Sequence, residues 1–188
     1  MNIDHLTWPT EGWGYMPYQE DALAAFKHVQ DTICPKTILE IGFHVGHSTT
    51  YMLEIMPQST VHAVGVAEGL LSIKRFARES LNKVYGDRFE CEIRNSTHVK
   101  ELFGHVDFDF AFVDGNHSEV AATRDIGKCI DMKIPYLLID NCEQEQVVRS
   151  IDKYPQLDFI EGFLYNSTWK NVSKTLEQRL YHVRFNNI

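Results

Sequence analysis

Residues 38–53, ILEIGFHVGHSTTYML, decide the fold: a short apolar strand runs into a loop holding two glycines and then into a helical pattern. Ile38, Leu39 and Ile41 suit a strand buried on both faces. Gly42 and Gly46 remove Cβ atoms where a ligand is expected to approach the backbone. Ser48 and Thr49 open a helix carrying Tyr51, Met52 and Ile55, whose first N–H groups can receive a carboxylate or another anion. Glu40 places an acid near the carboxyl end of the strand, where ligands of open α/β sheets bind. The spacing Glu-x-Gly-x-x-x-Gly differs from the dinucleotide pattern and from the phosphate loop. Taken alone it also fits an ordinary strand-to-helix turn.

Working outward, strands and helices alternate. Residues 18–32 carry Leu23, Phe26 and Val29 near helical spacing, and Pro35 closes that segment. STVHAVGVAEG reads as a second strand, and LLSIKRFARESLNKVYG as an amphipathic helix stopped at Gly86. The basic residues Lys74, Arg75 and Arg78 read as its solvated face. FECEIRNS and FDFAFVDGNHS supply strands three and four, EVAATRDIGKCIDM a helix, and IPYLLIDNCE a fifth, apolar strand. A helix around QEQVVRSIDKY precedes two strand-like runs, LDFIEGFLYN and LEQRLYHVRF, separated by a polar stretch expected to be a turn. Five strand–helix cycles predict one doubly wound, Rossmann-like α/β domain over residues 1–188, mainly parallel, with an antiparallel C-terminal hairpin and a leader at 1–17.

The chain has 188 residues, 44% hydrophobic and 23% charged, as in a soluble globular domain. A formal net charge of −8 argues against binding nucleic acid mainly through phosphate neutralisation. Cys34, Cys91, Cys129 and Cys142 form no Cys-x-x-Cys pair, so free thiols and a cytoplasmic location are expected, with no secretory signal and no membrane span.

Polar residues end two apolar strands: Asp114 ends the fourth, and Asp140 with Asn141 ends the fifth. If those strands are neighbours, two carboxylates and an amide oxygen converge in an all-oxygen set suited to Mg²⁺ or a similar divalent cation. Because Tyr136 to Ile139 are apolar, Asp140 and Asn141 are expected at the rim of the sheet and not inside it. The plainer reading makes each acid a helix cap or turn residue.

The glycine loop, the DGNHS turn and the DN strand end together resemble class I S-adenosylmethionine-dependent methyltransferases. In particular they are similar to the metal-dependent O-methyltransferases of the catechol and caffeoyl-CoA type. FVDGNHS is similar to the FIDGDHS signature of a bacterial and phage methyltransferase group, with Asn116 where that signature has Asp. The resemblance runs from about Tyr18 to the C-terminal hairpin. It implies that Glu40, Gly42, Gly46 and Ser48 hold the methionine part of S-adenosylmethionine, that Asn95 and Ser96 contact adenine, and that Asp114, Asp140 and Asn141 hold the metal. It places His117 where catechol enzymes have a proton-accepting lysine, so His117 and Asp114 are the catalytic candidates. Alternatively His117 orients Asp114. It also exposes a departure: the acid that receives the ribose hydroxyls falls on Gly65, leaving Glu68 as the nearest replacement. Trp8, Trp13, Tyr15 and Met16 lie where relatives carry a lid, and so short a leader suggests that a second subunit completes the acceptor site in a homodimer.

The reading is therefore a methyltransferase, expected to O-methylate a small hydroxylated metabolite or sugar with divalent-metal assistance, and to bind neither nucleic acid nor membrane. The rivals are a non-catalytic module that binds S-adenosylmethionine or metal, and a metal-dependent enzyme of another reaction type.

Overall fold

The computed structural model describes residues 20–66, 71–96, 102–104, 106–169 and 172–185. Helix α1 (Glu20–Thr32) leads into β1 (Thr37–Ile41), α2 (His47–Ile55), β2 (Thr60–Gly65), α3 (Leu71–Tyr85) and β3 (Phe89–Ile93). Then follow β4 (Phe110–Val113), α4 (Glu119–Asp131), β5 (Tyr136–Ile139), α5 (Glu145–Ile151), β6 (Leu157–Trp169) and β7 (Val172–Val183). The seven strands lie in the order β3-β2-β1-β4-β5-β7-β6. The first five pair in parallel, and the final hairpin joins antiparallel against β5. Strand order reverses between β1 and β4, which makes the crevice beyond their carboxyl ends the expected ligand site.

The apolar runs are continuous because both faces of the sheet are covered. Ile38, Phe110, Phe112 and Leu138 pack with Leu23, Phe26, Met52 and Leu81 on one face. Leu39, Ile41, Ala111, Val113, Leu137 and Ile139 pack with Ile126, Val147 and Ile151 on the other. Alternation along each strand thus feeds two cores, the pattern of a parallel sheet clad on both sides. Phe26 meets Phe112 edge to face with ring centroids 5.2 Å apart.

Two expectations change here. Most of the polar stretch read as a turn between the last two strands, residues 167–169 and 172–175, is strand, since β6 and β7 pair from Leu157↔Val183 to Trp169↔Val172 with a register shift between Phe159 and Glu161. Lys74 is also not part of a solvated face: it is 4% exposed, whereas Arg75 is exposed. Gly86 stops α3 as expected, with φ of 55° in the left-handed region that favours glycine.

Candidate active site

The end of β1 carries the first part of the site. Glu40 points into the face covered by α2 and is 1% exposed. Both of its oxygens accept hydrogen bonds from the first turn of that helix, one from the Ser48 hydroxyl and one from the Thr49 hydroxyl. Burial pushes its carboxyl up to about 7, against the two hydroxyl contacts that lower it. A raised carboxyl is what a ligand ammonium would offset, so Glu40 and the α2 N-terminus suit an amino acid moiety. Ser48 reaches such a ligand only while also holding Glu40.

The glycines of the loop have a different cause from the one their sequence suggests. A Cβ on Gly42 would lie 1.9 Å from the Asp114 carbonyl oxygen, and one on Gly46 would lie 2.6 Å from Leu81 Cδ1. Their φ values, 131° and 83°, also disfavour a side chain. Protein atoms, not an open ligand volume, fill the space. Substituting Gly46 would therefore strain the backbone and the core before touching any ligand.

The second part joins the ends of β4 and β5. Val113 pairs with Ile139, Asp114 N–H donates to the Ile41 carbonyl, and Asp140 N–H donates to the Val113 carbonyl at 3.0 Å, so the two acids stand side by side. The resulting carboxyl pair is raised on both members, Asp114 by burial and Asp140 well above the usual range by burial and then by the charge of Asp114. Asn141 follows with a φ of 58°. Contrary to the rim expectation, Asp140 is 5% and Asn141 7% exposed. The reason is the C-terminal hairpin, which closes over the end of β5. The Tyr165 hydroxyl donates toward both Asp140 oxygens at 3.2 and 3.1 Å, and the amide of Gln178 faces the same carboxyl. Gln178 is fully buried, and neither polar atom of its side chain reaches a hydrogen-bond partner. Tyr165 and Gln178 are site residues that the sequence reading missed. The only signal for them was the hairpin itself, which had to be placed against β5 before its inward residues had an address.

His117 sits between two partners. Its Nε2 lies 3.3 Å from Asp114 Oδ1, and its Nδ1 lies 3.2 Å from the Gln144 side-chain nitrogen. A Gln144 amide donating to Nδ1 leaves the ring proton on Nε2, aimed at Asp114. The DGNHS turn is shaped locally: Ser118 N–H donates to Asn116 Oδ1, and the Ser118 hydroxyl caps α4 by accepting from Ala121 N–H.

The adenine candidates sit beyond β3. The Ser96 hydroxyl donates to Asp125 Oδ1 at 2.8 Å, and a Cβ on Gly115 would lie 2.7 Å from Asp125 Oδ2. Asp125, buried on α4 and pushed up to about 6 by that burial, thus ties the end of β3 to the turn after β4. Asn95 is close by in sequence and partly buried. Glu68 and the leader aromatics Trp8, Trp13, Tyr15 and Met16 lie outside the described residues. At Gly65 a side chain has no room, because a Cβ there would lie 2.0 Å from the Phe43 carbonyl oxygen. A ribose-binding acid does not fit at that position.

Among the described residues, no group of three or more His, Cys, Asp and Glu is arranged to hold a metal ion, and no helix is long and apolar enough to cross a membrane. All four cysteines are free, as expected.

Comparison with solved structures places this fold among methyltransferases. An O-methyltransferase from Bacillus cereus in complex with SAH is 15% identical, with 88% of this chain and 82% of that chain covered and a TM-score of 0.61. The O-methyltransferase TomG from Streptomyces achromogenes, involved in tomaymycin synthesis and solved with SAM, is 14% identical, with coverage of 92% and 83% and a TM-score of 0.65. A putative RNA methyltransferase from Pyrococcus horikoshii is 12% identical, with coverage of 88% and 85% and a TM-score of 0.67. At such identities the likeness speaks for the fold and is silent on the acceptor. No curated protein sequence matches the chain. The profile of a methyltransferase domain family matches residues 39–142, more than half of the chain and the span from β1 to the Asp140-Asn141 pair. The chain belongs to that family, the class I S-adenosylmethionine-dependent methyltransferases.

Proposed function

We propose that this methyltransferase transfers the methyl group of S-adenosylmethionine to an oxygen of a small hydroxylated acceptor, with a divalent cation held by Asp114, Asp140 and Asn141. The observation that carries the reading is the meeting of two raised carboxyls at adjacent strand ends, a pair that a cation would relieve. The donors fit Mg²⁺, which accepts one or two carboxylates and keeps its other positions for water or substrate oxygens. When bound, the cation supplies Lewis acidity toward an acceptor hydroxyl. Glu40 and the loop before α2 hold the amino acid part of the cofactor, and Asn95 with Ser96 faces the adenine. His117, held by Gln144, positions Asp114, and the acceptor proton leaves to water. The remaining contribution of the chain is alignment of donor and acceptor in a site dried by the hairpin.

A binding module without turnover is favoured by two other observations, the hydroxyl of Tyr165 on both oxygens of Asp140 and the absence of room for an acid at Gly65. Calorimetric titration of S-adenosylhomocysteine with and without Mg²⁺, followed by mass analysis of hydroxylated acceptors incubated with S-adenosylmethionine, separates the two. Methylated product that vanishes on chelation supports the enzyme. Binding with no product across a broad panel overturns it.

A further inference from the structure

The sheet puts a third polar side chain in line with the two acids. Phe112, Leu138 and Leu180 share one core, so a single face runs across β4, β5 and β7. Side chains alternate along a strand, and one step further along that face stand Asp114, Asp140 and, on the antiparallel β7, Gln178. Ile139 pairs with Arg179, and the Cys142 N–H donates to the Glu177 carbonyl at 2.8 Å, so the chain after β5 stays beside β7 past Asp140. Gln178 interrupts an apolar row, between Leu176 and Leu180, which both pack on that core. It is 0% exposed, its amide faces the Asp140 carboxyl, and among the described residues neither Oε1 nor Nε2 reaches a hydrogen-bond partner. A buried amide unmatched at both ends is costly, and an apolar side chain of the same size would avoid the cost. Packing alone therefore gives no reason for glutamine at this position. Its carbonyl is a hard, neutral oxygen of the kind that joins carboxylates around a divalent cation.

We propose that Gln178 Oε1 is a further oxygen ligand of the divalent cation, supplied by β7 beside Asp114, Asp140 and Asn141. The inference rests on the cation placement of the proposed function and adds one residue to it. A cation there gives the amide oxygen its partner, and Nε2 keeps a carboxylate to donate to. Two carboxylates and two neutral amides complete the set without a third buried negative charge. The same contact would tie the C-terminal hairpin to the ends of β4 and β5.

The test uses Mg²⁺ alone on the full chain, by calorimetric titration and by thermal unfolding, with wild type, Gln178→Met and Gln178→Glu. Methionine keeps the volume and replaces the amide by a thioether that does not suit Mg²⁺. Gln178→Met should raise the metal-free Tm, because the unmatched amide is gone, and should weaken Mg²⁺ binding about tenfold or more, since the loss of even an outer partner of a metal site costs that much. Gln178→Glu separates a ligand from a residue that acts through Asp140: it keeps an oxygen in place and removes the donor. As a ligand, the carboxylate should bind Mg²⁺ more tightly than wild type and give a larger rise of Tm on adding the ion. Unchanged Mg²⁺ affinity in folded Gln178→Met overturns the proposal, as does weaker binding by Gln178→Glu, which would mean that only the amide N–H on Asp140 matters. If one variant fails to fold, the other still decides. Either result with Mg²⁺ still bound by the wild type sinks this inference alone, whereas a wild type that binds no Mg²⁺ overturns it together with the cation placement.

Discussion

The ends of β4 and β5 and the end of β2 are built on the same sheet, yet they solve opposite electrostatic problems. At β4 and β5, Asp114 and Asp140 stand side by side in the interior, with His117 against the first and the Tyr165 hydroxyl donating to the second. At the end of β2 an acid has no room on Gly65, where the Phe43 carbonyl oxygen fills the place of a side chain, and Lys74 from the following helix is tied to the Val66 carbonyl. One corner crowds two carboxyls together in the interior; the other leaves no room for one on its strand end. A fold supplies positions beyond its strand ends, and the sign of the charge placed there decides what the positions can bind.

Restoring the acid at β2 tests the difference most severely. Gly65→Asp would drive a Cβ to 2.0 Å from the Phe43 carbonyl, and backbone cannot yield as a flexible side chain can. We expect a loss of roughly 4 kcal/mol or more, seen in thermal unfolding as a failure to reach a stable native state. A folded variant that gains affinity for S-adenosylhomocysteine would show that the corner still accepts the acid-type clamp.

Glu40 gives the next largest effect, and it depends on pH. Its carboxyl stays protonated in the fold up to about 7, while the unfolded chain ionises near 4.5. The native state therefore holds the extra proton in that window, so the contribution to stability is complete below 4.5 and is lost as pH rises through 7. Across that interval the loss is about 3 kcal/mol, and Glu40→Gln should flatten it, leaving the variant more stable than the wild type at pH 8. Parallel denaturant curves for both proteins from pH 4 to pH 8 would refute this.

The same contrast marks how far the sequence could be read. The alternation of strands and helices, the five parallel strands and the hairpin were legible because burial on both faces leaves long apolar runs such as Tyr136 to Ile139. The side-by-side placement of Asp114 and Asp140 followed from strand adjacency. What escaped were placements made from a distance along the chain: Tyr165 bonds to Asp140, and Gln178 comes to face it, only after β7 docks on β5, and they turn an expected rim into an interior. Lys74 was misread because its helix has real amphipathic character, and only its burial and its bond to the Val66 carbonyl distinguish it from its exposed neighbour Arg75. At Gly42 and Gly46 the sequence pattern could not show that Asp114 and Leu81 already fill the space of a side chain.

Asp140→Asn tests the acidic corner with little change of shape. It removes one member of the repelling pair and keeps an acceptor for Tyr165, so the metal-free protein should gain up to about 1 kcal/mol at neutral pH. With millimolar Mg²⁺ the wild-type Tm should rise by mass action and that of the variant should not, while S-adenosylhomocysteine affinity stays unchanged. A wild-type Tm that ignores Mg²⁺ would make the pair a proton-sharing structural element and end the metal-assisted reading.

The last expected effect concerns the join between the end of β3 and the acidic corner. Ser96 donates to the Asp125 carboxyl across the gap from β3 to α4, and Asp125 backs Gly115 in the turn that carries Asp114 and His117. Ser96→Ala removes that donor and leaves the buried Asp125 without its hydroxyl partner, which costs about 1–2 kcal/mol. Because the hydroxyl lowers the Asp125 carboxyl against the burial that raises it to about 6, its loss should push that carboxyl higher still and extend protonation toward neutral pH. The Ser96→Ala penalty should therefore be small below pH 5 and should grow above pH 6, where wild-type Asp125 is ionised and the variant must either keep a proton or bury a charge. A penalty independent of pH would mean that the Ser96 contact is ordinary packing and that Asp125 does not link the end of β3 to the acidic corner through its charge.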